Sequence, residues 1–181
     1  MEIKYLKHEL DDARKQATID ALTGLNNRRG FDTTLQSYLD SYRASSSKFC
    51  LLLIDIDHFK LINDTYGHLV GDKVLVGLAK VLFKQIRKSD YLARFGGEEF
   101  AIILPDTPLD EAFVQAENIR KSIEKLRIKH IKTGQQIGQI TISIGLARYL
   151  ADDGALEIIE RCDNALYKAK SSGRNKVSLA E

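Results

Sequence analysis

Two short acidic pairs are the residues of this chain whose types and spacing suggest chemistry. Asp55 and Asp57 stand two apart at the end of the apolar run FCLLLID, and Glu98 and Glu99 follow Gly96-Gly97 in RFGGEEF. Adjacent carboxylates repel, and strands disfavour both Gly and Glu, so their place between apolar segments asks for a reason. A hydrophobic strand that delivers an acid at its C-terminal end places it at the mouth of a sheet, where ligands commonly bind. If the Gly-Gly hairpin lies beside that strand, Asp55 and Glu98 converge, and two close carboxylates need a shared proton or a cation. All-oxygen ligation without a His or Cys set suits Mg2+ or Mn2+ completed by substrate phosphates, which points to nucleotide chemistry. For Asp57 the plainer role is capping of the short turn His58-Phe59-Lys60.

The elements that must position these acids are readable from periodicity. A helix is expected over Arg28–Arg43, and Phe49–Asp55 reads as a central strand covered on both faces. Helical sequence returns from about Asp72 to Lys88, with Val74, Leu75, Leu78, Ala79 and Leu82 on one face. Tyr91–Phe95 and Glu98–Leu104 form two strands joined by Gly96-Gly97. A two-residue turn with positive φ sets Phe95 opposite Glu98 and Arg94 opposite Glu99. A helix over Leu109–Arg127, the strand Ile140–Ala147, a helix over Ala155–Lys170 and a strand near Val177 complete the order. The fold expected is α/β, a mixed central sheet with helices packed over it.

Residues 1–19 carry Ile3, Leu6, Leu10, Ala13 and Ala17 at alternating steps of three and four. Such spacing fits an amphipathic helix lying on the domain, or equally the tail of a short dimerising coiled coil that joins an upstream module. The following DALTGLNNRRG is a turn-rich hinge in which Gly24 and Asn26-Asn27 suit left-handed or capping positions. The domains expected are therefore this linker helix over 1–19 and one globular domain over 20–181.

Composition narrows the functional classes. A chain of 181 residues with 44% hydrophobic and 29% charged content fits one globular domain with a short appendage. A formal charge of +2 gives no support for a surface that binds polymeric nucleic acid. Cys50 and Cys162 lie in apolar settings and read as reduced core residues. No apolar run approaches the roughly 18 residues of a membrane span, and the N-terminus lacks a signal-peptide core, so the chain reads as cytoplasmic.

Five motifs, DALTGLNNRR, DIDHFKLINDTYGHLVGD, RFGGEEF, TISIGLA and ALYKAKSSGRNKV, follow one another in this order. Together, over about residues 20–178, they resemble the GGDEF domain, the diguanylate cyclase family, in its GGEEF variant. The resemblance implies a palm-like fold similar to nucleotidyl cyclases. It also implies condensation of two GTP to cyclic di-GMP with release of two pyrophosphates. Each domain of a homodimer would hold one GTP, whose 3′-hydroxyl attacks the α-phosphate of the other. Asp55, the Ile56 carbonyl and Glu98 match the family's metal ligands; Glu98 also matches the group that helps deprotonate the 3′-hydroxyl, and Glu99 supports the catalytic geometry. Asn63 and Asp72 match the guanine-reading pair, although Asp72 after Gly71 also fits a helix cap. Lys60, Lys170 and Arg174 match phosphate-holding positions, and backbone N–H groups at His58 and Phe59 join that cradle. His68 is taken as structural.

Arg87-Lys88-Ser89-Asp90 matches the family's RxxD inhibitory site for cyclic di-GMP, with Arg120 one candidate for its second arginine. The competing reading is a non-catalytic module that binds GTP or cyclic di-GMP and signals to a partner. A cyclase that makes a 3′,5′-cyclic mononucleotide is a third, resting on fold analogy. The motif residues Asp55, Asn63, Asp72, Gly96, Gly97, Glu98 and Glu99 are all present, which favours the active cyclase. The input signal, from a sensor or receiver domain upstream, is not written in these residues.

Overall fold

The computed structural model describes residues 17–43, 48–128, 134 and 137–181. Apart from Ala17–Ile19, the helix expected over 1–19 lies outside these residues. The elements are α1 (Arg28–Arg43), β1 (Phe49–Ile56), α2 (Phe59–Tyr66), α3 (His68–Gln85), β2 (Tyr91–Arg94), β3 (Glu99–Pro105), α4 (Leu109–Glu124), β4 (Ile142–Arg148), α5 (Ala155–Ser171) and β5 (Val177–Leu179). One five-stranded sheet runs in the order β2-β3-β1-β4-β5. β1 is antiparallel to both β3 and β4, whereas β4 and β5 are parallel.

β1 is buried along all eight residues, as its unbroken apolar sequence requires. Leu52, Ile54 and Ile56 face Val74, Leu78 and Leu82 of α3 and Ala116, Ile119 and Ile123 of α4. Phe49, Leu51 and Leu53 face Phe31, Leu35 and Leu39 of α1 and Ile158, Cys162 and Leu166 of α5. The two-residue pleat continues this second face to Asp55, so the acid emerges under α5. α5 lies so close to β4 that a Cβ on Gly145 would overlap the Cys162 carbonyl and the Leu166 backbone. The glycine of TISIGLA is thus where helix and strand touch backbone to backbone. Both cysteines are free and buried, as expected.

α1 begins where Asn27 Oδ1 accepts a hydrogen bond from the Gly30 amide at 3.0 Å, a side-chain N-cap. Its neighbour Asn26 covers the outer edge of β2: the Arg94 amide donates to the Asn26 carbonyl at 2.7 Å, and Asn26 Nδ2 donates to the Leu92 carbonyl at 2.9 Å. Two expectations differ from the structure. α2 stands where only a turn is expected, and α3 begins at His68, four residues before Asp72. Asp72 therefore lies within a helix and is not its cap. Among the described residues no helix is long and apolar enough to cross a membrane.

Candidate active site

The acids meet at the end of the sheet where β1 stops. Asp55 is the register partner of Glu99 on β3, so both side chains leave the same face. Glu98 lies in the hairpin turn just before β3, and its carbonyl accepts a bond from the Ile56 amide at 3.4 Å. Lys170, on the last turn of α5, places its ammonium 2.7 Å from Asp55 Oδ2. Burial raises the Asp55 carboxyl above its ordinary range, and the Lys170 charge only partly offsets it. Burial and the neighbouring Asp55 charge raise Glu98 and Glu99 in the same way, again moderated by Lys170. Three carboxylates and one ammonium therefore form one electrostatic unit.

The hairpin differs from its expected register by one residue. Phe95, not Arg94, is opposite Glu99, because the Phe95 and Gly96 amides both donate to the Glu99 carbonyl, at 2.8 and 3.2 Å. Arg94 pairs with Phe100. Gly96, Gly97 and Glu98 thus fill the turn, and neither glycine has positive φ. Gly96 instead leaves room for the Glu99 carboxylate: a Cβ there would overlap Glu99 Oε2, which would have to turn aside, whereas one on Gly97 would meet open space. The expected Arg94–Glu99 contact does not form. Arg94 instead donates to the Gly97 carbonyl at 2.7 Å through Nη2 and pairs with Asp20 at 3.1 Å through Nη1. Asp20 also accepts from the Thr23 amide and hydroxyl, at 2.9 and 2.6 Å. Burial disfavours its charge, but the Thr23 and Arg94 bonds outweigh this and hold its carboxyl below the usual range. The DALTG hinge therefore braces the acidic hairpin through one guanidinium.

Asp57 does not cap the following turn. α2 starts after His58 at φ 57°, with no side-chain cap bond. The Asp57 carboxylate is buried and accepts bonds from the Thr141 and Ser143 hydroxyls, each at 2.7 Å, and from the Asn175 amide at 3.0 Å. Those partners lie 84 to 118 residues away in sequence, beyond any local reading.

Asn63 on α2 and Asp72 on α3 lie across the α2–α3 corner. Asn63 Oδ1 is buried without a hydrogen-bond partner and nests against Gly71, where a Cβ would overlap it. An unpaired buried amide oxygen is a costly feature that a donor from a ligand would relieve. Asp72 is exposed on the next residue. A glycine inside a helical pattern was the available signal for this close approach. Lys60 and His58 are exposed and Phe59 is buried in the core, so only its backbone faces the site end of β1. Arg174 is exposed in a left-handed turn after α5, with φ 60°, and its charge acts on Asp55.

Arg87 and Asp90 close on one another. The Asp90 side chain is fully buried and accepts from the Arg87 amide at 2.8 Å, Arg87 Nε at 3.0 Å and Gln115 Nε2 at 3.2 Å. Arg87, half-exposed, also donates to the Thr107 hydroxyl at 2.5 Å. Arg120 is a poor candidate for a second arginine at this site. Its guanidinium is taken up by Glu117, Glu124 and Asn175, at 3.1, 3.2 and 2.8 Å, and its side chain is 11% exposed.

An all-carboxylate set, with Asp55 buried and Glu98 and Glu99 half-buried beside it and no His or Cys among them, fits a hard divalent cation. Among the described residues no three His, Cys, Asp or Glu side chains form a group that could hold a metal ion by themselves.

Residues 17–176 match the family described as "Diguanylate cyclase, GGDEF domain". Diguanylate cyclase VdcA of Vibrio cholerae is 42% identical over 177 residues, 98% of this chain and 51% of that protein. Diguanylate cyclase DgcM of Escherichia coli is 44% identical over 179 residues, 99% of this chain and 42% of that protein. The chain thus spans about half or less of the length of these curated relatives. The coiled coil and GGDEF domain of DgcB from Caulobacter crescentus, solved in complex with c-di-GMP, superposes with a TM-score of 0.94 at 36% identity, covering 99% of this chain and 94% of that one. With the motif residues assembled at one end of this sheet, the chain belongs to the GGDEF domain family of diguanylate cyclases.

Proposed function

We propose that this protein condenses two GTP molecules into cyclic di-GMP and two pyrophosphates, as a dimer whose two sites face each other. The observation that carries the reading is the Asp55–Glu98–Glu99 cluster with Lys170 at the sheet end, within a chain of this family. A Mg2+ or Mn2+ ion held by Asp55, Glu98 and the Ile56 carbonyl would polarise the α-phosphate and offset charge on the departing pyrophosphate.

The chain's own groups supply position. Lys170 is released from Asp55 towards phosphate, with Lys60, Arg174 and the His58 and Phe59 amides completing the cradle. Asn63 Oδ1 finds its missing donor on guanine, and the Asp72 carboxylate accepts from the guanine N–H edge. Glu98 takes the proton of the attacking 3′-hydroxyl, and its raised carboxyl range suits that exchange better than an exposed acid would. Glu99, seated on Gly96, keeps the hairpin in place beside Asp55.

Product is proposed to inhibit through the RxxD turn, with Arg87 the presenting group and Asp90 its buried anchor. Asp90 meets a guanine N–H only if Gln115 or Arg87 yields. The test is incubation of the protein with GTP and Mg2+ across protein concentrations, with products identified by mass. Cyclic di-GMP at a specific activity that rises with concentration supports the proposal. GTP binding without product would identify a non-catalytic signalling module instead.

A further inference from the structure

The buried Asp57 carboxylate has both oxygens occupied, Oδ2 by Thr141 and the Asn175 amide and Oδ1 by Ser143. Protein donors thus take three of the roughly four acceptor sites of this carboxylate. What it holds is the turn between α5 and β5. Gly173, Arg174 and Asn175 all have positive φ, at 110°, 60° and 46°; Gly and Asn accept this conformation, whereas Arg174 resists it. Such a turn persists only where its surroundings over-determine it. Asp57 fixes it from the sheet. From the other side Asn175 Oδ1 accepts from Arg120 Nη1 at 2.8 Å, while Asn175 Nδ2 donates to Glu124 Oε1 at 2.8 Å.

Between these anchors stands Arg174, whose side chain is exposed and, among the described residues, has no ion-pair partner. A long side chain on a loose turn would sample many directions, so a fixed backbone is what makes its charge useful at the site. We propose that Asp57 and Asn175 form a positioning clamp that aims Arg174 at the substrate's phosphates, with Asp57 taking no part in metal binding. This rests on the phosphate role given to Arg174 above.

The test measures binding of a non-hydrolysable GTP analogue with Mg2+ by titration calorimetry on the full chain. Asp57→Ala and Arg174→Ala should each weaken binding by about ten- to a hundredfold. The double variant should be no weaker than Arg174→Ala alone, because the clamp acts only through that residue. Asp57→Asn should bind within a few fold of the parent, since its amide oxygen serves Thr141 and Asn175 while its NH2 donates to the Ser143 hydroxyl. If Asp57→Ala does not fold, Asn175→Gly replaces it, keeping the amide and the positive φ while losing the Arg120 and Glu124 bonds. It should weaken binding in the parent background and not in Arg174→Ala. Additive losses in the double variant, or a loss in Asp57→Asn as complete as in Asp55→Asn, would overturn the clamp. Unchanged binding by Arg174→Ala would remove the phosphate role itself, and the clamp with it. Weakened Arg174→Ala with unaffected Asp57→Ala removes the clamp alone.

Discussion

Lys170 Nζ lies 2.7 Å from Asp55 Oδ2, closing an ion pair between the last turn of α5 and the last residues of β1. The Lys170 charge favours the ionised form of a carboxylate that burial otherwise disfavours. Replacing Lys170 by Met should raise the Asp55 carboxyl further and weaken GTP binding about tenfold or more, the loss of a charge-assisted contact. Asp55→Asn should instead stop turnover, by about a hundredfold or more, with protein stability largely kept. Steady-state product formation beside thermal melts separates the two; unchanged turnover in Asp55→Asn would remove the metal assignment.

The two hairpin glycines should not respond alike. Ala at Gly96 must displace the Glu99 carboxylate, whereas Ala at Gly97 meets nothing within 4 Å. Gly96→Ala is expected to lower kcat about a hundredfold, the effect of a misplaced acid beside the reacting groups. Gly97→Ala should leave the fold intact, seen as an unchanged melting temperature. Equal loss of stability in the two variants would contradict the contact between Gly96 and Glu99.

Arg94 and Asp20 make a prediction on the acid side. Their ion pair is mostly buried, at 17% and 20% side-chain exposure, so Arg94→Ala should destabilise by about 1–3 kcal/mol. Because Asp20 titrates below its unfolded range, its contribution is present above about pH 4 and is lost as pH falls through the folded value. Denaturant midpoints should therefore converge for parent and Asp20→Asn at low pH and diverge near neutrality.

Alkaline pH acts through different groups. Burial and the Asp106 hydrogen bond push Tyr42 up to about 12, and burial pushes Cys50 up to about 11. Their unfolded values lie near about 10 and 8.5. The unfolded chain loses these protons first, so stability falls as pH rises through that window. Tyr42→Phe keeps the ring against Phe49, where the centroids are 5.3 Å apart, and removes one titration. Its urea midpoint should drop less than the parent's between pH 8 and about 11.

Arg87→Ala should raise the concentration of added cyclic di-GMP needed for half-inhibition by about ten- to a hundredfold, the worth of one arginine–phosphate contact. Inhibition equal to the parent's would dismiss the RxxD turn as a product site.

Much of this architecture was legible because its causes are local. FCLLLID announces a doubly covered strand, and Asp55 at its end is conspicuous because solvation cannot explain an acid in such a run. α2 escaped notice because eight residues of mixed polarity carry little periodicity, and because the left-handed His58 that starts it has no sequence mark. The role of Asp57 is hidden from the sequence because its partners are Thr141 just before β4, Ser143 on β4 and Asn175 in the turn before β5. The Gly-Gly pair suggested a two-residue turn, but its real constraint is Glu99 folding over Gly96, a contact no turn propensity encodes. The motif residues could be matched to roles; the guanidinium that ties Asp20 to Gly97, and the amide that Asn63 presses on Gly71, belong to tertiary geometry.

The cover that Asn26 gives to β2 also protects against self-association. A sheet has two edges, each a row of unpaired donors and acceptors ready to recruit another chain. Here one edge ends in the three-residue β5, and the other is occupied by the Asn26 carbonyl and amide. A truncated protein beginning after Asn27 would keep every residue assigned to the nucleotide, yet would expose the outer side of β2 as a template for aggregation. The hinge that opens the domain is therefore also what keeps the sheet from growing.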